Sequence, residues 1–253
     1  MLFDTHAHYD DDQFDGDRET LLASLPEQGV GLVVNPGCTV ASSRTAVELA
    51  RRFPHVYAAV GIHPENCGDF RPEDLDAIRA LAREDKVVAI GEIGLDYYWP
   101  ENPPRPLQQQ VLRSQLALAR ELSLPVIIHD RDAHADTMAI VREFPGLRGV
   151  FHCFAGSVEM ARELVDMGWY LSFNGAATFK NARKAPEVIA AVPLERIMVE
   201  TDAPYMAPTP FRGKRCDSRY VYRMAETIAE IKGLTPAEVE QATWENGKRF
   251  FGI

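Results

Sequence analysis

Five of the seven histidines in this 253-residue chain follow short apolar runs. They are His6 and His8 in "FDTHAHYD", His63 in "AVGIHPE", His129 in "VIIHDRD" and His152 in "GVFHCFAG". Two carboxylates occupy the same kind of place. Glu92 ends the run "VAIGE", between Gly91 and Gly94, and Asp202 follows "MVE" in "MVETDAP". A lone carboxylate at the end of an apolar strand is costly unless something positive meets it. Neutral imidazoles and carboxylates together suit a divalent ion such as Zn²⁺ or Mn²⁺. His6 and His8 share a face of their strand, because side chains alternate with a period of two. One histidine at a strand end is ordinarily a hydrogen-bonding residue, and His-x-His alone is a weak sign of metal binding. The joint pattern of His6, His8, Glu92, His129, His152 and Asp202 is not accounted for that way, and a metal site is expected. His55 and His134 lie outside the strand ends and are expected to face solvent.

The elements that must position these residues recur along the chain. Short apolar, β-branched runs occupy 2–5, 31–35, 56–61, 87–91, 126–129, 149–152, 169–173 and 197–201. Each has the length of a buried parallel strand. Amphipathic helical spacing lies between them, as at 41–53, 72–84, 106–122, 158–167 and 219–231. Thr39, Ser42 and Ser43 supply caps near the start of the first, and Pro54 follows its end. A last helix spans 235–250, where "TPAE" gives an N-cap, Pro at N1 and an acidic residue at N3. Eight strand–helix units predict one α/β domain over residues 1–253, a (β/α)₈ barrel of the TIM type. A doubly wound open sheet is the rival, but no G-x-G-x-x-G or P-loop follows any strand. In a barrel, all these polar residues would stand at the C-terminal ends of the strands, around one mouth.

Bulk properties bound the function. Net charge is −10, which excludes wrapping nucleic acid with the whole surface but allows phosphates at one local site. No apolar run approaches the roughly 20 residues that a membrane helix needs. The start "MLFDTHAHYD" has neither a basic nor an apolar leader segment, so no secretory signal is expected. Cys38, Cys67, Cys153 and Cys216 are dispersed and fit reduced thiols, hence a cytoplasmic location. No obligate protein partner is evident.

The segments "DTHAH", "GIHP", "GEIGLDY", "IIHDRDA", "FHCFAGS", "SFNGAATFKNA" and "ETDAPYMAPTPFRGKR" together resemble the TatD family of metal-dependent deoxyribonucleases, within the amidohydrolase-like barrels. The resemblance runs from the first strand to the last helix. It implies a cofactor of two, or up to three, divalent ions (Zn, Mg or Mn). His6, His8 and Asp202 would hold one and His129 and His152 the other, with Glu92 shared between them. One stretch departs from the pattern. The family continues "RGKRNEP", and here "RGKRCDS" puts Cys216, Asp217 and Ser218 in a loop expected to border the substrate groove.

The expected reaction is hydrolysis. A divalent ion pulls the pKa of bound water toward neutrality, and two ions bridged by Glu92 could clamp both oxygens of a phosphodiester. Asp202 is expected to orient or deprotonate the water. Glu200 shares its face and is either a proton-handling carboxylate beside the site or the buried partner of an Arg or Lys. Asp4, in phase with His6, is a candidate hydrogen-bond partner. His63 is read as a phosphate donor, with a structural turn as the alternative. Arg131 could reach phosphate or form an ion pair. Arg212, Lys214 and Arg215 follow the eighth strand and are expected to contact a phosphate backbone. Tyr97, Tyr98 and Trp99 could stack on bases or pack over the rim. Gly91 and Gly94 are expected to keep side chains away from the cations. The leading expectation is a nuclease acting on DNA ends. The same site could instead hydrolyse another ester or amide, such as an aminoacyl ester on RNA. A purely structural metal is disfavoured, because six ligands at an open mouth exceed a closed four-ligand site.

Overall fold

A computed structural model describes residues 1–253. Eight parallel strands follow one another in chain order. They are β1 (Leu2–Asp4), β2 (Val30–Pro36), β3 (Val56–Val60), β4 (Val87–Asp96), β5 (Val126–Arg131), β6 (Gly149–Phe151), β7 (Tyr170–Phe173) and β8 (Ile197–Val199). The sheet closes on itself just beyond the ends of β8 and β1. The Thr5 N–H donates to the Val199 carbonyl at 3.2 Å, the Asp202 N–H to His6 at 2.9 Å and the His8 N–H to Ala203 at 2.7 Å. Sequential order with closure is the expected barrel and rules out the doubly wound rival.

Helices follow the strands on the outside: α1 (Arg18–Ser24), α2 (Val40–Arg52), α3 (Pro72–Leu81), α4 (Arg105–Leu122), α5 (His134–Arg142), α6 (Val158–Asp166), α7 (Lys184–Ala191), α8 (Tyr222–Lys232) and α9 (Pro236–Phe251). The expected caps form. Thr39 and Ser42 make a reciprocal capping box on α2, and Thr235 and Glu238 make another on α9. The short helices α1, α5 and α7 are additions to the sequence reading.

One buried cluster takes a side chain from every strand, including Phe3, Val34, Ala59, Ala89, Ile127, Val150, Tyr170 and Met198, and Phe250 and Phe251 of α9 pack onto it. This is the filled barrel interior. The strand period of two then lifts His129, His152 and Glu200 one layer above Ile127, Val150 and Met198. An apolar floor therefore underlies the polar mouth.

β4 differs most from expectation. It runs ten residues, all buried, instead of stopping at Gly91. Ile93, Gly94, Leu95 and Asp96 pair with Ile128 to Arg131 of β5 after an irregularity in register. Glu92 thus lies inside a strand, at the point where its register shifts. The two glycines serve this pairing rather than clearing space for cations. A Cβ on Gly94 would lie 1.8 Å from the His129 carbonyl oxygen, and one on Gly91 would meet Ile127 at 2.7 Å. Gly94→Ala must therefore push β5 away from β4. We expect a loss of about 3 kcal/mol or more in urea unfolding, and an unchanged midpoint would refute this account of the glycine.

Candidate metal centre

The strand ends bring the six expected residues around one carboxylate. Glu92 is 3% exposed. Its Oε2 lies 3.2 Å from His6 Nε2 and 3.4 Å from His8 Nε2. Its Oε1 lies 2.7 Å from His152 Nε2 and 3.0 Å from His129 Nδ1. Asp202 Oδ1 stands 3.8 Å from His6 Nε2 and 3.7 Å from His8 Nε2. The His6 and His8 nitrogens are themselves 3.1 Å apart, and His129 Nδ1 is 3.3 Å from His152 Nε2. Lone pairs so crowded call for protons or cations between them, and His6, His8 and Glu92 are close enough together to share an ion. Burial pushes the Glu92 carboxyl up, but His152, His6 and His63 outweigh it and hold it well below the usual carboxylate range. Burial lowers the His6 imidazole to about 4, whereas at His129 burial is outweighed by the hydrogen bonds to Asp96 and Glu92, which raise it to about 9. Burial raises Asp202 to about 6. The donor set of four imidazoles and two carboxylates fits divalent ions, with Oε1 and Oε2 of Glu92 facing separate histidine pairs.

Partners behind the ligands orient them. His129 Nε2 meets Asp96 Oδ2 at 3.0 Å, which leaves Nδ1 to face the centre. Asp96 is fixed in turn, since its backbone N–H donates to Gln108 and Oδ1 accepts from Tyr98 N–H and Asn102. Sequence reasoning missed Asp96, although it stands two and four residues from Gly94 and Glu92 in the strand period. Glu200 is fully buried and pairs with no Arg or Lys. Its Oε1 accepts the Cys153 N–H at 2.6 Å and lies 3.4 Å from His152 Nδ1. Glu200 therefore sits behind His152.

Asp4 holds backbone rather than imidazole. Its Oδ1 accepts the Thr201 N–H at 2.9 Å, and its Oδ2 accepts the hydroxyls of Thr201 and Ser218, each at 2.6 Å. The Ser218 N–H donates to Tyr9 Oη at 3.0 Å. This overturns the expected place of the "CDS" departure. Cys216, Asp217 and Ser218 are all buried and do not border the mouth; Ser218 ties this segment to β1 through Asp4, and Thr201 ties the turn carrying Asp202 to the same carboxylate.

His63 is also drawn in, with Nε2 at 3.5 Å from Glu92 Oε1. Its Nδ1 accepts the Glu65 N–H at 3.2 Å, so in the neutral ring the proton sits on Nε2. That makes His63 a donor at the centre. Arg131 lies over the Tyr98 ring at 3.9 Å and near Trp99 at 5.4 Å, and both rings are exposed. Tyr97 packs instead, donating its hydroxyl to Asp136 at 2.9 Å. Arg212 and Lys214 are exposed. Arg215 is not free: Asp17 holds it at 2.6 Å and the Gln13 carbonyl at 2.7 Å. His55 and His134, expected to face solvent, are both half-buried, and His134 Nδ1 sits 2.7 Å from Asp130 Oδ2.

A closed (β/α)₈ barrel with this mouth is the frame of a metal-dependent hydrolase. The family profile described as "TatD related DNase" matches residues 3–252. A metal-dependent hydrolase of Bacillus subtilis, YabD, is 45% identical over the full length of both chains. A protein of Salmonella typhimurium named 3'-5' ssDNA/RNA exonuclease TatD is 32% identical, over 100% of this chain and 99% of its own. The crystal structure of the Escherichia coli TatD homologue YjjV superposes with a TM-score of 0.93 at 32% identity, covering 100% of this chain and 98% of that one. The chain belongs to the TatD family of metal-dependent hydrolases.

Proposed function

We propose that this chain removes nucleotides from the ends of single-stranded DNA by hydrolysing phosphodiester bonds at a two-ion centre. The observation that carries this reading is the sharing of Glu92, with one oxygen on His6 and His8 and the other on His129 and His152. His6, His8 and Asp202 would hold one ion, and His129 and His152 the second. Divalent ions held there supply Lewis acidity, lowering the pKa of water and neutralising charge on phosphate oxygens. Asp202, whose side chain is 16% exposed, faces the mouth, where it can orient the attacking water and take its proton. His63 donates its Nε2 proton to a phosphate oxygen. Arg131, stacked on Tyr98, and the exposed Arg212 and Lys214 hold the backbone on either side. Relatives named 3'-5' ssDNA/RNA exonucleases support this substrate class and direction. Four free cysteines support a reducing compartment such as the cytoplasm.

The test is cleavage of end-labelled single-stranded DNA with Mg²⁺, Mn²⁺ or Zn²⁺, beside a charged-tRNA control. EDTA should abolish the ladder of shortened products and re-addition of metal should restore it. Deacylation of the tRNA with no DNA cleavage under any metal would replace this reading with the aminoacyl-ester one. Arg131→Ala should raise KM for single-stranded DNA about tenfold with kcat nearly intact, because base–aromatic and cation contacts of this kind contribute about 1–3 kcal/mol to binding. An equal loss in kcat would place Arg131 at the reacting phosphate instead.

A further inference from the structure

We propose that the cavity beside the metal centre seats the base and sugar of the substrate's terminal nucleotide, an inference that rests on the nuclease reading above. The cavity measures about 380 Å³ and opens to solvent between the loop after β6, the end of β7 and the start of α7. That volume lies within the range of roughly 300–1,000 Å³ typical of small-molecule sites. Its walls are the aromatic side chains Phe154, Phe173 and Phe179, and its space exists because five alanines complete the lining.

The cavity is continuous with the centre through Cys153. This residue follows His152, and its N–H donates to the Glu200 carboxylate that lies behind His152. Asn174, also in the wall, donates its side-chain N–H to Cys153 Sγ at 2.9 Å and accepts the Ala176 N–H at 3.0 Å. The hydrogen bonds that aim a ligand imidazole therefore also fix the wall of the cavity. A phosphate at the centre would leave its attached nucleoside at this opening.

Charge selects the occupant. In a chain of net charge −10, Arg183 and Lys184 stand exposed at the cavity edge. Arg212 brings a third cation, its guanidinium 4.1 Å from the Phe179 ring centroid. Aromatic walls under a cationic edge suit a base with its neighbouring phosphate. They oppose the ammonium of an aminoacyl ester, which would enter the same cavity with like charge around it. Stacking accepts every base, since all have a π face. The exposed Asn181 amide at the lining adds hydrogen bonds to a base edge without choosing among bases.

The experiment is calorimetric titration of the metal-loaded protein with dAMP and, separately, with 2-deoxyribose 5-phosphate. These share sugar and phosphate and differ in the base. The wild type should bind dAMP about tenfold more tightly, the size of one stacking contact. Phe179→Ala, which removes an aromatic wall, and Ala182→Trp, which fills the cavity from its edge, should each erase most of that difference. Neither should change metal content, and Phe179→Ala should leave the affinity for the base-free sugar phosphate near its wild-type value. Equal affinities in the wild type overturn the proposal. So does a preference for dAMP that survives in either folded variant. Tighter binding of phenylalanine amide than of dAMP overturns it as well. The two readings fail separately. DNA cleavage without base preference removes the cavity's role alone, whereas base preference without DNA cleavage removes the nuclease and leaves the cavity's ligand in place.

Discussion

Glu92→Gln should lower DNA hydrolysis by about 10⁴-fold or more and strip metal from the protein, because loss of a metal centre removes several kcal/mol of transition-state stabilisation. The substitution keeps the shape of the side chain and removes its charge. Both faces of the centre depend on that charge: Oε2 meets His6 and His8, and Oε1 meets His129 and His152. An amide has one oxygen acceptor, and its NH₂ group would point a donor at one histidine pair. Elemental analysis after dialysis should show that pair's ion lost first and the other held weakly. Full metal content with full activity would refute the sharing of Glu92.

Asp202→Asn should separate binding from chemistry. Asp202 stands 3.8 and 3.7 Å from the His6 and His8 nitrogens, at the outer side of the site. An asparagine oxygen can still ligate, and His6, His8 and Glu92 remain, so metal content should fall only partly. The proposed proton acceptor is gone, however, and general-base catalysis contributes about 10²–10⁴-fold. We expect kcat to fall by about that factor while KM for DNA stays near its original value. Single-turnover rates on the metal-saturated variant measure this directly. A rise in KM with kcat intact would make Asp202 a binding residue and move the proton acceptor elsewhere.

The strands were legible because each is buried on both faces, so runs such as 126–129 and 149–152 read as continuous apolar segments. The gathering of His6, His8, Glu92, His129, His152 and Asp202 was legible because polar residues in a barrel collect where those runs end. What could not be read was anything that depended on a neighbour in space. The second half of β4, Gly-Glu-Ile-Gly-Leu-Asp, carries two glycines and two acids and has little strand character by itself. It is a strand because Ile93 to Asp96 pair with β5. The short helix α7 starts with Lys184, just after Arg183 at its cap, and has proline in its first turn, so its periodicity is faint. Arg215 looked like a phosphate contact beside Arg212 and Lys214, yet Asp17, far away in sequence, holds it. Ser218 looked like a change at the substrate loop, and only the fold shows it turned inward onto Asp4. The place of His63 at the mouth was legible because Gly-Ile-His-Pro follows β3, although its tautomer follows from a backbone N–H that spacing does not reveal.

The bonds from Thr201 and Ser218 to Asp4 carry a consequence for the chain while it is being made. Thr201 and Asp4 lie 197 residues apart, and Ser218 is 214 residues from Asp4. A ribosome releases His6 and His8 almost 200 residues before Asp202. Until the segment from Thr201 to Ser218 has left the exit tunnel, the histidines have neither the Asp202 carboxylate nor the turn that fixes their strand. The candidate centre is therefore a product of long-range closure, and no fragment lacking either the "DTHAH" or the "ETDAP" segment can assemble it.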